Sequence, residues 1–199
     1  QDAYTYCCRD KVFANAQTGN IVLLSTNLFE GNWQQILRYL IPLLSFMLGI
    51  YIAECVHRRF KHIEKVHWRQ LIILAEILLL ITVGFMPQSM NTAANAVVSF
   101  VCAMQVESFR KIEGNAYATT MCTGNLRSGT ELLYRCLREK DPALLRHCLR
   151  YYAVILAFIA GAAASALLAA PLGRWSVLVA CGGLVLVLGM LFWEEVETR

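Results

Sequence analysis

From Leu71 to Phe85 the chain offers only Glu76 and Thr82 as polar side chains, and no other feature restricts its possible folds as strongly. A helix of a soluble bundle keeps a polar stripe for water. This stretch has none to present, so a soluble all-helical bundle is set aside. Four more runs resemble it, giving expected spans at 35–56, 70–86, 94–109, 150–170 and 175–193. Each is about the length that crosses roughly 30 Å of hydrocarbon. Backbone that meets lipid must bond to itself, so every span is predicted to be a helix. The 57% of hydrophobic residues in 199 lies above the ordinary soluble range and is concentrated in these runs.

Charge orients the spans. His57, Arg58, Arg59, Lys61, His62, Lys65 and Arg69 make the most basic short connection, which the positive-inside rule places in the cytoplasm. The uncharged connection from Met86 to Ala94 is then outside, and Arg110 and Lys111 are inside. The long link from Arg127 to Arg150 carries Arg135, Arg138, Lys140 and Arg146 and belongs inside as well, as does the acidic end Glu194-Glu195-Val196-Glu197. For Arg110 and Arg127 to share a side, the segment between them must dip into the membrane and return. By the same count the segment before the first span dips in from the opposite face.

Those two segments carry a repeat. Thr18-Gly19-Asn20 recurs as Thr123-Gly124-Asn125, and at the same offset of 105 residues Asp2 aligns with Glu107 and Tyr4 with Phe109. At an offset of 112, after a longer connecting loop in the second copy, Arg38-Tyr39, Phe46 and Gly49 align with Arg150-Tyr151, Phe158 and Gly161. An ordered series of this kind marks an internal duplication. The expected architecture is an all-α membrane protein of about six transmembrane helices, built as an inverted repeat with two re-entrant half-helix segments. Residues 1–89 form the first repeat of a single membrane domain and 90–199 the second. The second copy has a span ahead of its triplet, whereas the first reaches its aligned acid at Asp2, so the chain is expected to begin inside its first helix. Asp141-Pro142 marks a break between two amphipathic pieces of the long basic link.

Glycine in each triplet lets the backbone turn, and Asn or Thr beside it caps a helix start. Short helices are therefore predicted at Ile21–Leu28 and Leu126–Leu133, beginning at depth with their amide ends facing inward. Such ends suit an anion, a carboxylate or a polar oxygen. The candidate solute-binding residues are Asn15, Gln17, Thr18, Gly19 and Asn20 from one half and Thr119, Thr120, Thr123, Gly124 and Asn125 from the other. The alternative is that the triplets are tight packing corners in which Asn bonds a neighbouring backbone. Asp2 and Glu107 are candidates for proton or charge coupling, because an ionisable group in a span is costly; the alternative is local pairing, Asp2 with Arg9 and Glu107 with Arg110 or Lys111. Glu76 is a third intramembrane acid, suited to a second pathway or an oligomer contact, or else to a hydrogen bond with a neighbouring helix.

Other chemistries find little support. Cys7, Cys8, Cys55, Cys102, Cys122, Cys136, Cys148 and Cys181 lack Cys-x-x-Cys spacing, and His57, His62, His67 and His147 fall in basic loops, so no metal site is expected. No Ser-His-Asp order, phosphate loop or nucleotide fingerprint appears, and no cofactor is implied. The basic loops suit anionic lipid head groups rather than nucleic acid. The small-residue run from Gly161 to Ala166 and the pair Gly182-Gly183 allow close helix contact, either within the monomer or at a homodimer seam.

Asp2-Ala3-Tyr4, the run Val12 to Leu24 containing Phe13-Ala14-Asn15-Ala16-Gln17-Thr18-Gly19-Asn20, and Ala118-Thr119-Thr120-Met121 with Thr123-Gly124-Asn125-Leu126-Arg127 resemble the YoaK family of bacterial inner-membrane proteins, over essentially the whole chain. The resemblance implies a multi-pass protein of the bacterial inner membrane; it supplies no substrate. The functional expectation is a transporter or channel for a small polar or anionic solute, held between two facing half-helix ends. A membrane-embedded enzyme acting on a lipidic substrate through Asp2 and Glu107, and a non-transporting scaffold or sensor, are the competing classes.

Overall fold

Each long apolar run is helical in the computed structural model, which describes residues 1–60, 68–109, 111–112, 115–116 and 122–197. The helices are α1 (Asp2–Cys8), α2 (Gln17–Glu30), α3 (Trp33–Phe60), α4 (Trp68–Phe85), α5 (Asn91–Ser108), α6 (Cys122–Glu139), α7 (Pro142–Leu172) and α8 (Val177–Glu197). The described residues add one antiparallel pairing of two-residue strands, β1 (Lys111–Ile112) with β2 (Asn115–Ala116). Contacts divide the chain into two compact units, Gln1–Ser108 with Ser165–Arg199, and Phe109–Ala164.

In the first unit α3 packs most extensively on α5, with α2 against α3 and α4 between α5 and α8. The buried face of α3 is Ile36, Tyr39, Pro42, Phe46, Gly49 and Ala53, a spacing of three and four residues that keeps one stripe inward. Gly49 sets the closeness of the pair. A Cβ there would stand 2.5 Å from the Phe100 carbonyl oxygen and 2.7 Å from the Ala103 Cβ. Only glycine permits that approach.

Length and composition mark three stretches able to cross a membrane: Trp33–Phe60, Trp68–Phe85 and Pro142–Trp193. The last has 52 residues and covers two expected spans; a straight helix of that length would reach about 78 Å, far beyond one bilayer. Gly173, at φ +52°, opens a 3-10 turn over Gly173–Ser176 that divides it. The exposed side chains of Leu156, Ile159, Leu167, Leu186 and Met190 suit contact with lipid tails. The molecule is a helical membrane protein. The expected span at 94–109 is helical as α5, but length and composition alone do not mark it as able to cross. Asn91, Asn95, Ser99 and Ser108 lie on it, and its side chains are buried against protein instead.

The half-helix expectation also changes. Both triplets stand in the first turn of a helix, yet α2 has 14 residues rather than the expected Ile21–Leu28, and α6 has 18 rather than Leu126–Leu133. Each gains four residues at its start, because the triplet is itself helical rather than a turn ahead of the helix, and each runs on at its end until Gly31 at φ +70° and Lys140 at φ +51°. Neither is among the stretches able to span. In the second unit α6 shows a charged face through Arg127, Glu131, Arg135 and Glu139 and ends at the predicted break, where Asp141 Oδ1 accepts the Ala143 N–H at 2.8 Å and caps α7. Gly129 of α6 meets Tyr151 of α7, and its carbonyl accepts the Cys148 thiol at 3.3 Å. No atom lies within 4 Å of the Cβ position of Gly161, Gly182 or Gly183, so the small-residue faces are open among the described residues.

Candidate functional site

The first triplet closes on itself. Asn20 is fully buried; its Oδ1 accepts the Phe13 N–H at 3.1 Å, and its Nδ2 donates to the Phe13 carbonyl at 2.6 Å and to Gln17 Oε1 at 3.0 Å. Gln17 in turn donates to the Ala14 carbonyl at 2.8 Å. Gly19 lets the turn seat on Phe13, whose ring stands 3.0 Å from where a Cβ would be, while Thr18 is exposed. Asn20 thus takes the backbone of the preceding loop as its partner, and the loop folds back over the start of α2.

The same end of α2 already has an anion. Asp2 Oδ1 accepts the N–H groups of Asn15, at 2.6 Å, and of Ala16, at 3.4 Å, immediately ahead of the first helical residue. A carboxylate there is favoured by the helix dipole and by charge-assisted bonds. The expected Asp2–Arg9 pair does not form. Arg9 is instead buried with its five donors distributed over neutral acceptors: Nε to the Tyr4 hydroxyl at 2.8 Å, Nη1 to Asn91 Oδ1 at 2.9 Å and the Pro87 carbonyl at 3.3 Å, and Nη2 to the carbonyls of Val83 at 2.9 Å and Met86 at 3.0 Å. Those carbonyls end α4, where the dipole is negative. A cation at the end of a helix has won over a nearby carboxylate.

Arg9 opens a polar stripe down α5. Asn91 accepts from its guanidinium, Asn95 Nδ2 donates to its carbonyl at 2.8 Å, and after Ser99 comes Cys102, whose thiol donates to Gln1 Oε1. Spacings of four, four and three residues keep these groups on one face. On α4, the Glu76 and, on α1, the Asp2 carboxyl groups lie within electrostatic reach of the Cys102 thiol. Glu76 has 0% exposure and neither of its oxygens has a hydrogen-bond partner; the Ser99 hydroxyl and Asn95 Oδ1, also at 0% exposure, lack one too. The expected hydrogen bond from Glu76 to a neighbouring helix is therefore not made.

Above this layer an open cleft of about 610 Å³ is lined by Tyr6, Cys7, Asp10, Lys11, Arg38 and Gln88 among others. Asp10 and Lys11 both hold left-handed backbone, at φ 65° and 62°, a conformation that costs energy outside glycine and clusters at functional sites. The strain delivers Asp10 to Arg38, at 3.8 Å, and sets the Lys11 ammonium 4.7 Å from the Tyr6 ring centroid. Sequence reasoning did not single out Arg9, Asp10, Lys11 or Arg38 as site residues. Two adjacent charged residues after a short helix give no sign of their backbone strain.

In the second unit Thr123 and Gly124 are exposed in the first turn of α6 and Asn125 is buried, the same pattern as Thr18 and Asn20. Thr119 and Thr120 lie outside the described residues. Glu107 is half-buried at the penultimate position of α5. Among the described residues no three His, Cys, Asp or Glu side chains gather as a metal site.

Residues 1–190 match the family described as "Protein of unknown function (DUF1275)", and the chain belongs to that family, which includes the YoaK proteins. No curated protein and no solved structure matches it.

Proposed function

We propose that this chain is an integral membrane transporter or channel for a small polar or anionic solute, with its charge balance coupled through Glu76. The observation that carries the proposal is a fully buried, unpartnered carboxyl in the middle of a spanning helix. A merely structural acid at that depth would cost stability unless bonded, and such groups in membranes serve pathways and relays. The cationic groups of Lys11 and Arg38 suit the cleft to a carboxylate, a phosphate or a polar oxygen. In this reading Asn15, Gln17, Thr18, Gly19 and Asn20 serve the solute path in the first unit, Asn20 by shaping the loop rather than by touching it, and Thr119, Thr120, Thr123, Gly124 and Asn125 are the equivalent residues of the second. Asp2 and Glu107 tune the charge beside them. The protein works in the bacterial inner membrane with its C-terminus in the cytoplasm and anionic lipids at its basic ends.

The test is solute-driven swelling of proteoliposomes over a panel of amino acids, small carboxylates, sugars and phosphate. Uptake of at least one class above protein-free vesicles, reduced at least tenfold by Glu76→Gln and by Arg38→Ala, is the expected outcome. Equal swelling with and without protein across the panel refutes transport. The closed hydrogen bonding of Asn20 favours one competing reading, a non-transporting scaffold, and that reading predicts such equal swelling.

A further inference from the structure

The geometry points to a binding site for a desolvated sodium ion at Glu76, with Ser99 and Asn95 of α5 as the other oxygen donors. This deepens the charge-coupling role proposed for Glu76 and rests on it. The buried unpartnered oxygens of the first unit include the Glu76 carboxyl, the Ser99 hydroxyl and the Asn95 amide oxygen, with the Ser108 hydroxyl farther along α5. Ser99 stands one helical turn from Asn95 and from Cys102, and Cys102 is the group that Glu76 reaches across from α4. Helices α4 and α5 pack on each other as neighbours joined through residues 86–90, which brings Glu76 to the depth of Ser99 and Cys102. The oxygens of Glu76, Ser99 and Asn95 therefore belong to one stretch of a single helix interface.

Chemistry selects the ligand. A proton on Glu76 removes the charge and supplies a single O–H donor, enough for one of the Ser99 and Asn95 oxygens, whereas a cation takes all of them as ligands together. Carboxylate, hydroxyl and amide oxygens are hard donors, unsuited to soft metals. One carboxylate balances one positive charge. A divalent ion would leave an excess in an apolar interior that already holds the Arg9 guanidinium, about 10 Å away along α4. The remaining ionisable groups turned toward this interior are Cys102 of α5, the amino group of Gln1, which acts on the Cys102 thiol, Asp2 and Tyr4 of α1, Cys181 of α8, whose thiol approaches the Ile77 carbonyl at 4.0 Å, and Tyr39 of α3. None supplies a second anion beside Glu76 except Asp2, which is already bonded to the α2 backbone.

The experiment measures binding, not flux, so its failure is separable from failure of the transport reading. The full chain, purified in detergent, is equilibrated with radiolabelled sodium and, in parallel, melted in sodium, potassium or choline chloride at equal ionic strength and fixed pH. Expected results are saturable sodium binding near one ion per chain, a melting temperature that rises with sodium but not with choline, loss of both in Glu76→Gln, and a half-saturating concentration raised about tenfold in Ser99→Ala. Ser99→Ala and the wild-type cation series keep the test decisive should Glu76→Gln fail to fold. Absence of saturable sodium binding in the wild type overturns the inference, as does a melting temperature that answers to protons alone. Saturable binding unchanged by both substitutions overturns it too. Sodium binding without any solute flux supports the site while rejecting transport; proton-driven flux without sodium binding does the reverse.

Discussion

Gly49 and Gly161 stand 112 residues apart in opposite surroundings, and exchanging each for alanine measures how closely α3 and α5 are joined. At Gly49 the new methyl would lie 2.5 Å from the Phe100 carbonyl oxygen and 2.7 Å from the Ala103 Cβ. Ordinary contact begins near 3.4 Å, so the helices must part by roughly 0.9 Å along their most extensive interface. Overpacking of this kind costs about 1–3 kcal/mol, and a backbone carbonyl has no rotamer by which to step aside. Alanine returns up to about 1 kcal/mol through helix propensity, leaving a net loss of about 1–2 kcal/mol for Gly49→Ala. At Gly161 no atom lies within 4 Å, so Gly161→Ala keeps only the gain. Thermal unfolding of the two variants in detergent, followed by tryptophan fluorescence, is expected to move them in opposite directions, with a melting temperature several degrees lower for Gly49→Ala. A Gly49→Ala protein as stable as wild type refutes the close α3–α5 approach, and a strongly destabilised Gly161→Ala protein shows that its face is covered by something.

Asn20→Ala removes the clamp on Phe13 and leaves that residue's N–H and C=O without partners, a loss of about 2 kcal/mol. Thr18→Ala, on an exposed side chain, should stay within about 0.5 kcal/mol; equal melting temperatures for the two variants contradict the clamp. Asp2→Asn should weaken the start of α2 by about 1 kcal/mol and speed amide exchange at Asn15 and Ala16, and unchanged exchange there rules against Asp2 as their acceptor. Single-cysteine variants test the topology, because Cys7 lines the open cleft whereas Cys136 lies near the end of α6 in the basic link. A membrane-impermeant maleimide is expected to label Cys7 only from outside and Cys136 only from the cytoplasm; labelling of both from one side overturns that orientation.

What the sequence revealed and what it hid divide along the range of the interactions. Spans such as 70–86 are legible because the solvent dictates them, and α4 occupies Trp68–Phe85 with no help from any particular partner. The break at Asp141-Pro142 follows from local chemistry, whereas α2 and α6 start at Gln17 and Cys122, four residues ahead of the starts expected at Ile21 and Leu126, with Ala16 rather than Thr or Asn at the N-cap of α2. Spacing within one segment misled where the true partner was distant. Asp2 and Arg9 are close enough in sequence to suggest an ion pair, yet apart from the Tyr4 hydroxyl Arg9 finds its acceptors 74 to 82 positions away on α4, on the turn after it and on α5. Its preference is physical: several fixed carbonyls at a helix terminus satisfy the donors of a guanidinium more completely than one carboxylate can. Asp2 is thereby released to hold the loop ahead of α2, and that loop places Asn20 where it can clamp Phe13. The polar residues near the first triplet are in this sense one chain of commitments, each fixing the next. Glu76 stands outside it. It was conspicuous in the sequence for lacking a cation in its own span and is conspicuous in the fold for lacking any hydrogen-bond partner. A fully buried acid left without a donor in an interior where Ser99 and Asn95 also have unmet oxygens is a feature that packing alone does not require.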